Sequence, residues 1–187
     1  MVRWEPGATE RLQKAALELF AAQGFDRTTT AEIAETAGLT QRTFFRYFAD
    51  KRDVLFWGQD AFTEVFLRGM DTATEGAGPM QLISAALQSV ASSFPDERRT
   101  YSRMRQAVID SNPALQERER HKLGGLAISA AAALRERGIG EPTATLAAES
   151  GVTVFGIAFA QWIREDEDRS LTDITADTLA QLRALNA

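Results

Sequence analysis

Cysteine is absent from all 187 residues, which removes disulfides, thiolate metal sites and thiol nucleophiles together. Histidine occurs once, as His121, so a clustered histidine metal site is excluded. Strand-like alternation is missing, and the five prolines and 13 glycines fall at spacings that suit breaks between helices. There is no glycine-rich phosphate loop and no convergent His/Asp/Ser set, so neither an enzyme nor a cofactor or metal is expected. The first ten residues hold two acidic side chains, one basic one and no apolar run, so no secretory signal is expected. The longest apolar stretch, Gly151 to Ile163, is interrupted by Thr153 and Gln161 and at 13 residues is too short for a bilayer. The expectation is a cytoplasmic protein with no membrane partner.

What is present reads as a folded chain. Hydrophobic residues make up 44% and charged residues 25%. The length allows one domain, or two small ones sharing a core. The net charge of −5 is unevenly spread. Residues 1–52 hold 8 Lys/Arg against 7 Asp/Glu, and residues 53–187 hold 13 against 19. A near-neutral segment can still bind phosphate when its cations share one face.

Helical period dominates. Leu12, Ala16, Leu19 and Phe20 form one stripe of a first helix from about Ala8 to Gln23, closed by Gly24. Thr29-Thr30-Ala31-Glu32 has the capping-box form and opens a second, which buries Ile33, Ala34 and Ala37 and stops at Gly38. Thr40 can cap a short third helix, and Asp50 can cap a fourth with Asp53 in its first turn. The fourth is predicted to run unbroken from Lys51 to about Thr74, with Leu55, Phe62, Val65, Phe66 and Gly69 as its seam. Breaks at residues 75–79, Pro95, Pro113 and Pro142 separate four more. A ninth begins with a cap at Thr172 and carries Ile174, Leu179, Leu182 and Leu185.

The segment TTAEIAETAGLTQRTFFRYF, Thr29 to Phe48, meets the needs of a helix-turn-helix. Ala34 and Ala37 are small where a second helix must come close. Gly38 tolerates positive φ in the turn, and Leu39 can fill the space beneath it. Phe44 and Phe48 are four apart and turn inward. Gln41, Arg42 and Arg46 then point toward a major groove, where Arg suits guanine and Gln suits adenine. Thr30, Thr40, Tyr47 and Lys51 can hold phosphates, and Thr40 also stands at a helix N-terminus.

Residues 8–55, through ALELFAAQGFDRTTTAEIAETAGLT and TFFRYFADKRDVL, resemble the N-terminal domain of the TetR family of regulators. The resemblance implies an all-α, nine-helix protein. Residues 1–50 would be a three-helix DNA-binding head and residues 51–187 a body for ligand binding and dimerisation. It implies a dimer on double-stranded, palindromic DNA and repression relieved by a small molecule. It places Gln41, Arg42 and Thr43 on base-contacting positions, and Thr30, Thr40, Phe45, Tyr47 and Lys51 on or near phosphate-contacting ones. Phe45 stands where the family usually has tyrosine and cannot donate to phosphate; packing on sugar or a thymine methyl stays open to it. Tyr47 replaces a frequent histidine and keeps a donor, although its ring can equally belong to the core.

Beyond residue 55 the readings are looser. Trp57, Phe62, Phe66, Phe94, Tyr101, Met104, Phe155 and Phe159 are candidates to line a pocket for an apolar or amphipathic small molecule, with Gln59, Gln106 and His121 as possible polar anchors. Plain core packing is the alternative for each ring, and an exposed charged face is the alternative for His121. From Val152 to Ala160 the eighth helix is apolar almost all round and must be covered on more than one side. A four-helix dimer interface with the ninth helix would do so, through Gly151, Val152, Phe155, Phe159, Trp162, Leu179 and Leu182. Enclosure by its own chain is the alternative. Leu55, Trp57 and Phe62 are placed to pass a change in the body to the head. A regulator without a small-molecule effector, controlled by a protein partner or constitutive, remains the other reading.

Overall fold

The computed structural model describes residues 7–185, and all regular structure in them is helical. In chain order the helices are α1 Ala8–Gln23, α2 Thr30–Thr36, α3 Gln41–Tyr47, α4 Lys51–Phe56, α5 Gln59–Gly69, α6 Pro79–Ser92, α7 Arg99–Asp110, α8 Pro113–Glu136, α9 Thr143–Trp162 and α10 Leu171–Ala184. Single 3-10 turns lie at Met70–Thr72 and Asp96–Arg98. The predicted fourth helix is in two pieces. Trp57 is extended, and Gly58 turns left-handed with φ 86° before α5 begins. The apolar period runs through this point, but the backbone conformation that glycine allows does not. With α4 and α5 as the halves of that element, all nine predicted helices are present in order. The last starts earlier than predicted, because Ser170 and not Thr172 caps it.

The chain divides into two compact units. Among the described residues the first holds 7–57 together with Met104–Glu119, so it includes the end of α7 and the start of α8. In it α1 packs on α2 and α4, and α2 packs on α3. Its buried side chains include Leu12, Leu17, Phe20, Ile33, Phe44, Phe48, Val54, Leu55 and Phe56. Two arginines support α4. Arg105 donates through Nε to the Leu55 carbonyl at 2.7 Å and through Nη1 to Glu119 at 2.9 Å. Arg118 pairs with Asp53, and both guanidinium groups lie over the buried Phe56 ring at 5.2 and 5.3 Å. Cations at the last carbonyls of a helix complement its dipole.

Among the described residues the second unit holds Gly58–Arg103 and 120–185. Helix α6 packs on α5, α9 and α10, and α9 packs on α10. Two glycines let α6 be approached closely. A Cβ on Gly69 would stand 2.7 Å from Ser89 Cβ and 2.8 Å from the Ala86 backbone. One on Gly151 would stand 2.7 Å from Ile83. The Ile163 and Arg164 carbonyls at the end of α9 accept from Arg103 at 2.6 and 2.9 Å. At 20 residues and mean hydropathy 1.3, α9 is long and apolar enough to cross a membrane by length and composition. The apolar run seen in the sequence understates it, because the alanine-rich turn before Gly151 extends the helix. Ala144, Ala147, Ala148, Gly151, Val154, Phe155, Ala158 and Trp162 of α9 are buried within this chain.

Candidate nucleic-acid interface

The α2–turn–α3 unit is built by local hydrogen bonds. The Thr29 hydroxyl accepts from the Glu32 amide at 3.2 Å, and the Glu32 carboxylate accepts from the Thr29 amide at 2.8 Å and from its hydroxyl at 2.7 Å. Those bonds from Thr29 hold the Glu32 carboxyl below its ordinary range. Gly38 takes φ 66° in the turn, and the Leu39 amide closes onto the Ala34 carbonyl at 2.8 Å. The Thr40 hydroxyl caps α3 by accepting from the Thr43 amide at 3.2 Å. Asp50 caps α4 through Arg52 N and Asp53 N at 2.7 and 3.1 Å. Burial raises the Asp50 pKa, but its bonds with Arg52 and Asp53 outweigh that and leave it lowered.

Helix α3 buries Phe44, and Phe48 follows it into the core. Gln41, Arg42, Phe45 and Arg46 are exposed, and Thr43 and Tyr47 are half-buried. The nitrogen of the Gln41 amide donates to Thr30 Oγ1 at 2.8 Å, joining the first residues of α3 and α2. The Thr40 and Thr43 hydroxyls bond to each other at 3.0 Å. Arg46 donates to the Tyr47 hydroxyl at 3.0 Å and lies 4.8 Å from the centre of that ring. Phe45 is 52% exposed and meets Phe44 edge-on. One candidate is placed otherwise. Lys51 donates to the carbonyls of Phe25, Asp26 and Thr28 at 2.7, 3.1 and 2.9 Å. An ammonium has three protons, and here they clamp the loop between α1 and α2.

The pocket candidates separate. Phe62, Phe94, Phe155 and Phe159 join Trp162 in an aromatic cluster with ring centres 5.0–6.3 Å apart. Phe66 is fully buried in the same core, and Tyr101 is half-buried in that unit. Trp57 and Met104 belong to the first unit, where Trp57 packs edge-on against Phe48. Gln106 is bonded to Asp110 and Glu119 at 2.9 and 3.3 Å, and His121 is exposed.

The dimer candidates lie in or against the core of the second unit. Gly151, Phe155, Trp162 and Leu179 are buried within this chain. Val152, Phe159 and Leu182 are half-buried and pack against that core. Gly151 permits close approach of α6 of the same chain. The side of α9 left open carries Thr145, Leu146, Glu149, Thr153, Ile157 and Ala160, with Gly156 half-buried. Sequence periodicity could not single out this stripe, because both sides of the helix are apolar. Arg105 and Arg118 likewise carry no sequence signal of their role, for they fall in polar helices with no local pattern linking them to α4.

Comparison with known proteins agrees with this architecture. The profile of bacterial regulatory proteins of the tetR family matches residues 12–56, and that of the MftR C-terminal domain matches residues 77–186. The chain is 30% identical over 166 residues to the mycofactocin biosynthesis transcriptional regulator MftR of Mycobacterium tuberculosis, covering 87% of this chain and 82% of MftR. It is 41% identical over 81 residues to the HTH-type transcriptional regulator TcmR of Streptomyces glaucescens, a match spanning 43% of this chain and 36% of TcmR. The fold is similar to that of the regulator FadR of Bacillus subtilis in complex with stearoyl-CoA, with a TM-score of 0.63 and 19% identity over 92% of this chain and 96% of FadR. With the α2–turn–α3 unit inside one matched segment and more than half of the chain inside the other, this protein belongs to the TetR family of bacterial regulatory proteins and is a DNA-binding transcriptional regulator.

Proposed function

We propose that the chain is a cytoplasmic, homodimeric repressor that reads a palindromic operator with α3 and releases it when an apolar or amphipathic small molecule binds the second unit. The observation that carries the DNA reading is the outer face of α3, where Gln41, Arg42 and Arg46 are exposed while Phe44 and Phe48 anchor the other face. Arg42 is assigned to a base edge, and Thr30, Thr40, Thr43 and Tyr47 to phosphate or base contacts. Two such helices must sit roughly 34–36 Å apart to meet successive half-sites. The exposed Leu146 and Ile157 on the open side of α9 support dimerisation through α9 and α10, and we read α9 as a core and interface helix and not as a membrane span. Dependence on a small molecule is supported by the likeness to the FadR fold, whose structure holds stearoyl-CoA. A ligand with different affinity for the DNA-bound and free shapes shifts the balance by that difference.

The test is mobility shift on genomic fragments. Arg42→Ala should weaken the preferred site by about 1–3 kcal/mol and random DNA much less. Equal loss on both would remove α3 as the reading helix. Adding stearoyl-CoA should lower operator affinity, and equal ligand affinity for free and operator-bound protein would rule out release by that class. A second reading, a regulator with no small-molecule effector, draws on the direct ring-to-ring contacts among Phe62, Phe94, Phe155 and Phe159.

A further inference from the structure

Gln41 and Thr30 are 11 residues apart, yet their side chains meet at 2.8 Å on the exposed side of the α2–turn–α3 unit. We propose that Thr30 is a positioning residue for base reading: it holds the Gln41 amide so that one acceptor and one donor face outward, a pattern that suits adenine and not guanine. The proposal rests on the assignment of α3 as the reading helix.

The chemistry follows from counting hydrogen-bonding groups. A glutamine amide has one acceptor oxygen and two N–H donors. Thr30 Oγ1 takes one of the donors. The oxygen and one N–H remain. In the major groove adenine presents a donor at N6 and an acceptor at N7, whereas guanine presents acceptors at both O6 and N7. The remaining pair of groups answers adenine. To bond both guanine acceptors the amide would have to withdraw its proton from Thr30 and leave that hydroxyl short of a partner.

The threonine loses nothing by this role. A hydroxyl has one proton and two acceptor sites, so Thr30 can accept from Gln41 and still donate to a phosphate. Base reading and backbone contact then meet in one half-buried side chain at the start of α2. The nearby hydroxyls of Thr40 and Thr43 are paired with each other at 3.0 Å. Holding a long, flexible side chain in place before binding also lowers the entropy lost on contact.

The experiment uses the full chain and a duplex library with randomised half-sites, followed by affinities for the selected duplex and for its adenine-to-guanine variants. Four proteins are compared: the unsubstituted chain, Thr30→Val, Thr30→Ser and Gln41→Ala. The unsubstituted chain should select an adenine in each half-site that Gln41→Ala no longer selects. At that position Thr30→Val should cut the adenine-over-guanine ratio about fivefold. Thr30→Ser, which keeps the hydroxyl, should restore it, and ratios elsewhere should hold. Equal weakening of adenine and guanine duplexes by Thr30→Val would overturn the proposal and leave Thr30 as a backbone contact. So would a Gln41→Ala protein that keeps the same preference at every position. Should the unsubstituted chain select no duplex at all, the assignment of α3 falls and this inference falls with it. A selected site whose ratios ignore Thr30 removes this inference alone.

Discussion

The Lys51 ammonium lies 2.7 Å from the Phe25 carbonyl oxygen and 4.5 Å from the centre of the Phe25 ring. With the Asp26 and Thr28 carbonyls it holds the loop that enters α2 to the first turn of α4. Lys51→Met should therefore destabilise the first unit by about 2 kcal/mol, since bonds from a charged donor are worth more than neutral ones. Urea unfolding reads this directly. The salt dependence of DNA binding should keep its slope; a slope reduced by about one would mean that Lys51 contacts a phosphate after all.

The open stripe of α9 gives a prediction about assembly. Ile157 is 54% exposed and Leu146 is 63% exposed, whereas Gly151 is enclosed by Ile83 and Phe66. Ile157→Glu should yield a folded monomer with poor operator binding. Losing one buried isoleucine per copy removes about 3 kcal/mol in total, near a hundredfold in the dimer dissociation constant. Sedimentation velocity decides it. Gly151→Leu should instead fail to fold, because the new side chain has no room against α6.

Gly124 and Gly125 lie side by side within α8, and a Cβ at either would meet nothing within 4 Å. No packing reason for glycine is present, and the residue costs a helix about 1 kcal/mol relative to alanine. Gly124→Ala and Gly125→Ala should each raise stability by about that amount in thermal or denaturant unfolding. Loss of stability in either variant would mean that another surface approaches α8 there.

Acid should loosen the first unit through its caps. The Glu32 carboxyl is held below the ordinary glutamate range by its bonds with Thr29. A depressed folded pKa gives stability that is present above the unfolded value and is lost as pH falls through the folded one. Glu32→Gln keeps the capping geometry but cannot titrate. Its melting temperature should depend less on pH below 4.5 than that of the unsubstituted chain. Parallel acid curves for the two proteins would contradict the assignment.

Much of the first unit was legible in the sequence, because its decisive bonds join residues two to four apart. Thr29 with Glu32, Thr40 with Thr43 and Asp50 with Asp53 are spacings that caps require, and Gly38 is where the turn needs positive φ. The same locality made the inward turn of Phe44 and Phe48 readable. Three things needed the tertiary structure. Lys51 reaches back about 25 residues to backbone carbonyls, which no side-chain pattern records. Thr30 meets Gln41 only because the turn brings two helix starts together. The third is α9, apolar on nearly every side, whose composition says that it must be covered but not by what. Shape complementarity at Gly151 and Ile83 decided which side faces its own core and which is left open.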